Sequence, residues 1–136
     1  MIRQQRIAAV AALGVFAALA GCHRDSQAKG PQYIMLMYNG GDCQQNGSDG
    51  IVDIYANQAL IYQGATMQNE FQVRFTSCPL ADGFCPVNSP NGNSVNVGTP
   101  LGSAAGSTFM YNGMTINHQL CKNADSMGVR VRAGRQ

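Results

Sequence analysis

Five cysteines carry the most definite chemistry in this sequence: Cys22, Cys43, Cys78, Cys85 and Cys121. The last four form an even set, and in an exported chain the natural use of such a set is two disulfides. Four cysteines allow three connectivities. Cys78–Cys85 with Cys43–Cys121 is favoured, because Pro79, Asp82-Gly83 and Pro86 mark the first interval as a tight local loop, while the second pair ties the start of the domain to its end. A bridge enclosing that much chain stabilises by roughly 4–5 kcal/mol on the chain-entropy model. Zinc is the competing use of four cysteines, and the absence of any C-x2-C spacing together with an oxidising compartment disfavours it.

The remaining reactive side chains do not assemble into a catalytic pattern. There is no G-x-S-x-G, and no thiol remains among the four once they are bridged. Of the two histidines, His23 follows Cys22 directly, and His118, three residues before Cys121, reads as a surface or half-buried polar group. Asp42, Asp49, Asp53 and Glu70 supply carboxylates for a glycosidase-type pair, but their spacing does not set two of them across a substrate. Asp42 to Asp53 partly matches a twelve-residue calcium loop, with Asp42, Asn46, Gly47 and Asp53 at its first, fifth, sixth and last places. Gln44 and the terminal Asp53 depart from that pattern, Cys43 sits inside it and no helices flank it, so ordinary loop composition explains it better. The expectation is therefore no catalytic residue, no metal, no cofactor and no enzyme activity.

The segment ahead of these residues belongs to targeting. Arg3 and Arg6 precede an apolar run from Ile7 to Ala20, too short for an ordinary transmembrane helix and built like a cleaved signal. That run closes on Leu19-Ala20-Gly21-Cys22, which resembles the lipobox of bacterial lipoproteins. The resemblance implies a diacylglyceryl group on the Cys22 sulfur, cleavage before Cys22 and acylation of the new amino end. In lipoproteins similar to those of enteric bacteria, Asp after the lipidated Cys retains the protein at the inner membrane. His23 stands there instead, which implies the outer membrane, and several acyl chains make the anchoring stable.

Removing residues 1–21 from the 136 leaves 115, enough for one modest domain. Residues 22–32, the lipid-bearing Cys and a polar stretch ending in Gly30-Pro31-Gln32, read as a tether. Ten flexible residues span roughly 16–19 Å, so the domain 33–136 stays close to the bilayer. Of nine basic residues, Arg3 and Arg6 leave with the signal, so seven bases balance seven acids. With 12% charged residues and no net charge, the chain lacks an electrostatic footprint for nucleic acid. Arg130, Arg132 and Arg135 form the one basic cluster, and the alternation with Val129 and Val131 suits the solvated face of a final strand.

Within the domain the signals are β. Glu70 to Thr76 alternates cleanly, placing Phe71, Val73 and Phe75 on one face. Tyr33 to Tyr38 is a continuous apolar run bounded by Asn39-Gly40-Gly41, expected to be a central strand buried on both faces. Ile51 to Tyr55 and Ala59 to Gln63 suggest a hairpin about Ala56-Asn57-Gln58. A second hairpin is expected at Asn112-Gly113, between Thr108 to Tyr111 and Met114 to His118. Met127 to Val131 supplies a last strand. About seven short strands predict an all-β fold, a small disulfide-stabilised antiparallel sandwich or barrel. Met-Tyr-Asn-Gly occurs at both 37–40 and 110–113, reused strand-turn chemistry rather than duplication.

Asn88 to Ser107 is rich in Asn, Gly, Ser and Pro, with Ser94 to Val97 as its one short strand candidate. A connection this long is either flexible or functional, and it is the candidate binding loop. Ser103 to Phe109 followed by Cys121 resembles membrane-bound inhibitors of c-type lysozyme, small disulfide-linked β-barrels with a Ser/Gly-rich loop before an aromatic strand. This chain has no Trp and lacks their Lys-Gly-Asp segment, so no binding residue carries over. The function expected is that of a membrane-anchored protein-binding module of the cell envelope, with an envelope protein as partner. An inhibitor or immunity protein against a periplasmic hydrolase, or a structural part of an envelope or secretion complex, are the alternatives.

Overall fold

The computed structural model describes residues 30–66 and 68–134. The signal segment, Cys22, all but the last three residues of the tether, and Arg135 lie outside them. Two sheets face each other as a curled half-barrel sandwich, so the all-β expectation holds. Across the first sheet run β2 (Asp42–Gln45), β1 (Gln32–Asn39), β4 (Leu60–Gly64) and β7 (Val95–Asn96). Across the second run β3 (Ile51–Tyr55), β10 (Gly128–Arg132), β8 (Thr108–Ile116), β5 (Phe71–Phe75) and β6 (Val87–Ser89), with β9 (Gln119–Leu120) paired to β8. Most pairings are antiparallel, but β1 with β4 and β3 with β10 are parallel.

The alternation read in β5 is realised: Phe71 and Val73 are buried while Arg74 is exposed. In β10, Val129 and Val131 enter the core and Arg130 and Arg132 face outward. Gly128 opens that strand because β10 lies tight on β8; a Cβ there would stand 2.5 Å from the Phe109 carbonyl oxygen. In β1, Ile34 and Leu36 are buried, but Tyr33, Met35 and Met37 are exposed at 49%, 42% and 40%. Burial on both faces is thus corrected. The strand is central in its sheet, between β2 and β4, yet among the described residues no second layer covers that sheet's outer face.

Both expected hairpins are replaced by other devices. β3 and β4 belong to different sheets, so Ala56-Asn57-Gln58 is a crossover. It is fixed by Gln32, whose amide donates to the carbonyls of Tyr55 (2.7 Å) and Gln58 (3.0 Å) and accepts from the Tyr55 N–H (2.7 Å). Asn112-Gly113 lies inside the single strand β8, where the register against β5 shifts between Arg74 and Phe75. Asn112 is the extra residue of a bulge, which bends a strand that must pair β10 on one side and β5 on the other. The true two-residue turn is Asn117-His118, both at positive φ, joining β8 to β9.

Asn88 to Ser107 is not a free loop. It is a strap that starts on β6, adds β7 to the edge of β4 and returns to β8. The N–H groups of Leu60, Leu101 and Gly106 donate to the carbonyls of Gly98, Pro79 and Val131, and Val97 and Ala104 are buried. Excess Asn and Gly here serves tight turns, while one apolar residue at intervals suffices to hold the strap to the core. The two disulfides are Cys43–Cys121 and Cys78–Cys85, with sequence separations of 78 and 7.

A polar chain runs through the core. Tyr111 of β8 donates its hydroxyl to the Gln45 side-chain oxygen (2.7 Å), leaving Tyr62 of β4 as donor to the Tyr111 oxygen (3.0 Å). The Gln45 amide nitrogen donates onward to the carbonyls of Gly128 (2.7 Å) and Gly50 (2.9 Å). All three side chains are buried and every group in the chain is satisfied, so the network ties β2 and β4 to β8 and β10 without orphaned polarity.

Candidate functional site

The second sheet's outer face, away from the core, is hollowed along β5 and β8. Three adjoining depressions of about 250, 260 and 440 Å³ cross β5 and β8. The first two share Gln72 and Thr115, and the last two share Arg74 and Asn112, which makes them one elongated groove. Outward positions of β5 supply Gln72 and Arg74, and the bulge in β8 supplies Asn112. Leu120 of β9, exposed at 64%, forms one wall, and Cys85-Pro86 closes the far end.

At the near end His118 Nε2 stands 2.7 Å from the Glu70 carboxylate. The backbone fixes that pair. Asn117 donates its N–H to the Glu70 carbonyl (2.8 Å), accepts the Glu70 N–H on its side-chain oxygen (3.0 Å) and donates its amide to Asn69 (2.9 Å). His118 follows at φ 64°, and its largely exposed ring meets the Glu70 carboxylate just ahead of β5. Asn and His tolerate that region better than most L-residues, which is why the turn forms without glycine. Glu70 and Arg74 are the formal charges of the lining, with Arg74 Nε donating to the Gln72 side chain at 2.9 Å.

No protein-family model, curated protein or solved structure matches this chain. The groove must therefore be judged on its own chemistry. A Glu–His pair can exchange a proton, but the nearby Ser89 hydroxyl is buried and donates to the Asn93 carbonyl at 2.6 Å, so it is not offered to His118 as a nucleophile. What the groove presents is a line of amides and hydroxyls between a negative end and a positive middle, walled by Leu120. That suits an extended polypeptide better than a compact small molecule.

The residues singled out from sequence scatter around this site. Glu70 and His118 meet, although neither was expected to find the other. Asp53 instead accepts from Arg130 (2.8 Å) and Arg132 (3.3 Å), and these hydrogen bonds and charges hold its carboxyl below the usual carboxylate range. Asn46, of the calcium-like stretch, is spent on the β1 backbone: it accepts the Met35 N–H (2.8 Å) and donates to the Tyr33 carbonyl (3.0 Å). Among the described residues no three His, Cys, Asp or Glu side chains cluster as metal ligands. Of the candidate binding loop, Asn88, Ser89 and Pro90 border the groove near Glu70. The Ser103 to Phe109 stretch is held against β10 instead, through Gly106 and the Val131 carbonyl. Gln72, Arg74 and Leu120 had no distinguishing sequence signal, and Asn112 signalled only a turn, because the groove is a product of register between strands distant in the chain.

Proposed function

We propose that this chain is a lipid-anchored lipoprotein of the outer membrane that captures an envelope protein in the groove across β5 and β8. The lipobox and Cys22 support the anchor. The observation that supports capture is the groove itself: an elongated, mixed-polarity surface whose charged end is preset by the Asn117 clamp on Glu70. A rigid, disulfide-linked scaffold presenting preset polar groups loses little entropy on binding an extended segment.

Metabolic labelling with an alkyne fatty acid tests the anchor: wild type takes up label and Cys22→Ser does not. A photo-crosslinking residue placed at Leu120 tests capture. It should trap a discrete envelope protein, the same residue at Ile51 on the edge strand β3 should not, and Arg74→Glu should abolish trapping while the fold persists. Equal trapping from both positions, or none from Leu120, overturns the groove. If the purified domain instead degrades peptidoglycan and loses that activity in Glu70→Gln, an enzyme replaces the binding module. A trapped hydrolase whose activity falls on capture would specify the inhibitor form of the same reading.

A further inference from the structure

The first sheet's outer face carries a second surface of different chemistry. Tyr33, Met35 and Met37 stand exposed along β1, and parallel register sets Ile61 of β4 beside Tyr33. Their flanking partners are amides, Gln63 beside Met35 and Gln44 beside Met37. From Tyr33 to Met37, none of these paired positions carries a formal charge. The nearest charge on β2 is Asp42, opposite Asn39 at the hairpin end. The second sheet differs: its outward positions include Asp53, Arg74, Arg130 and Arg132.

An uncharged apolar strand face bordered by a tyrosine matches the boundary layer of a bilayer, where tyrosine rings lie at headgroup depth and apolar neighbours enter the acyl region. The anchor selects this occupant. Nine residues, ten Cα–Cα steps, separate Cys22 from Gln32, a contour of at most about 35 Å, and they lead into the strand that bears the patch. We infer that Tyr33, Met35, Met37 and Ile61 seat the domain on the bilayer that holds Cys22, an inference that rests on the lipoprotein reading above. Seated so, the domain turns the β5–β8 groove away from the membrane, because the two outer faces lie on opposite sides of the core.

Full-length lipidated protein in phosphatidylethanolamine–phosphatidylglycerol vesicles tests this. An environment-sensitive fluorophore is attached through Met35→Cys in one sample and Leu120→Cys in another, and acyl-brominated lipid serves as quencher. The probe at 35 should shift to the blue and lose most of its emission, the probe at 120 should do neither, and adding Met37→Asp should restore emission at 35. If the protein floats with the vesicles and the probe at 35 is no more quenched than that at 120, the anchor stands and the seating is overturned. If it does not float, the lipoprotein reading fails and takes the inference with it. Concentration-dependent self-quenching at 35 without bromine quenching would assign the face to a second copy and overturn the bilayer as occupant.

Discussion

The buried hydroxyls are the residues on which stability should turn most sharply. Tyr111→Phe strands the Gln45 side-chain oxygen and removes the acceptor of the Tyr62 hydroxyl, at about 1–3 kcal/mol for each buried group left unsatisfied. Tyr62→Phe should cost less, since Tyr111 keeps Gln45 as acceptor. Urea unfolding of the two variants measures the difference, and equal losses would contradict the donor order. Burial raises both phenols above the ordinary tyrosine value. A folded value above the unfolded one, which is about 10, means the stabilisation is complete below that pH and falls as pH rises beyond it. Absorbance at 295 nm should therefore show Tyr62 and Tyr111 ionising only together with loss of the fold. Asp53 acts in the opposite direction. Its carboxyl is lowered by the hydrogen bond from Arg130, so the support it gives β3 and β10 is present above the unfolded carboxylate value and fades as pH falls toward the folded one. Asp53→Asn should flatten that part of an acid unfolding curve.

At the scale of elements, the two bridges should differ by magnitude rather than kind. On the chain-entropy model the separation of 78 gives roughly 4.5 kcal/mol and the separation of 7 roughly 2.5 kcal/mol. Cys43→Ala with Cys121→Ala should thus lower the urea midpoint about twice as far as Cys78→Ala with Cys85→Ala, and further still because Cys43 is buried. Both pairs were legible from spacing, since Pro and Gly between 78 and 86 announce a local loop. β5 was legible for a different reason: one solvated face and one core face write a period of two into the sequence. β1 wrote a misleading signal, because an apolar outward face looks the same whether another layer or something outside the chain covers it. Asn112-Gly113 misled as well. The dipeptide permits positive φ, but the strand needed only one extra residue there, and the turn fell at Asn117-His118, where the composition is weaker evidence. Parallel pairing of β3 with β10 was invisible, since nothing local to either strand names a partner so far away. The groove inherits that opacity: its chemistry resides in the adjacency of β5, β6, β8 and β9, whereas the Glu70–His118 pair could have been sought once Asn117 was recognised as a turn residue.

For the whole molecule, the question is what makes two sheets one cooperative unit. The Tyr62–Tyr111–Gln45 chain crosses the core, the Gln32 amide grips the crossover, and Cys43–Cys121 joins β2 to the end of β9. The strap adds a fourth tie, because β7 extends the first sheet while Gly106 bonds the Val131 carbonyl in the second. Replacing residues 92–106 by a short Gly/Ser linker removes Val97 and Ala104 from the core and takes the partners of Leu60 and Val131 with them. Leu60 is fully buried only with the strap in place, so removing β7 leaves β4 as an open edge and admits water to the core that Val97 and Ala104 had closed. The expected outcome is loss of hydrogen-exchange protection in both sheets together, at Leu60 and Tyr62 of β4 and equally at Val129 and Val131 of β10. Exchange that rises at β7 and β4 alone, with β8 and β10 still protected, would mean that the strap is an accessory of the first sheet and that the two sheets hold each other without it.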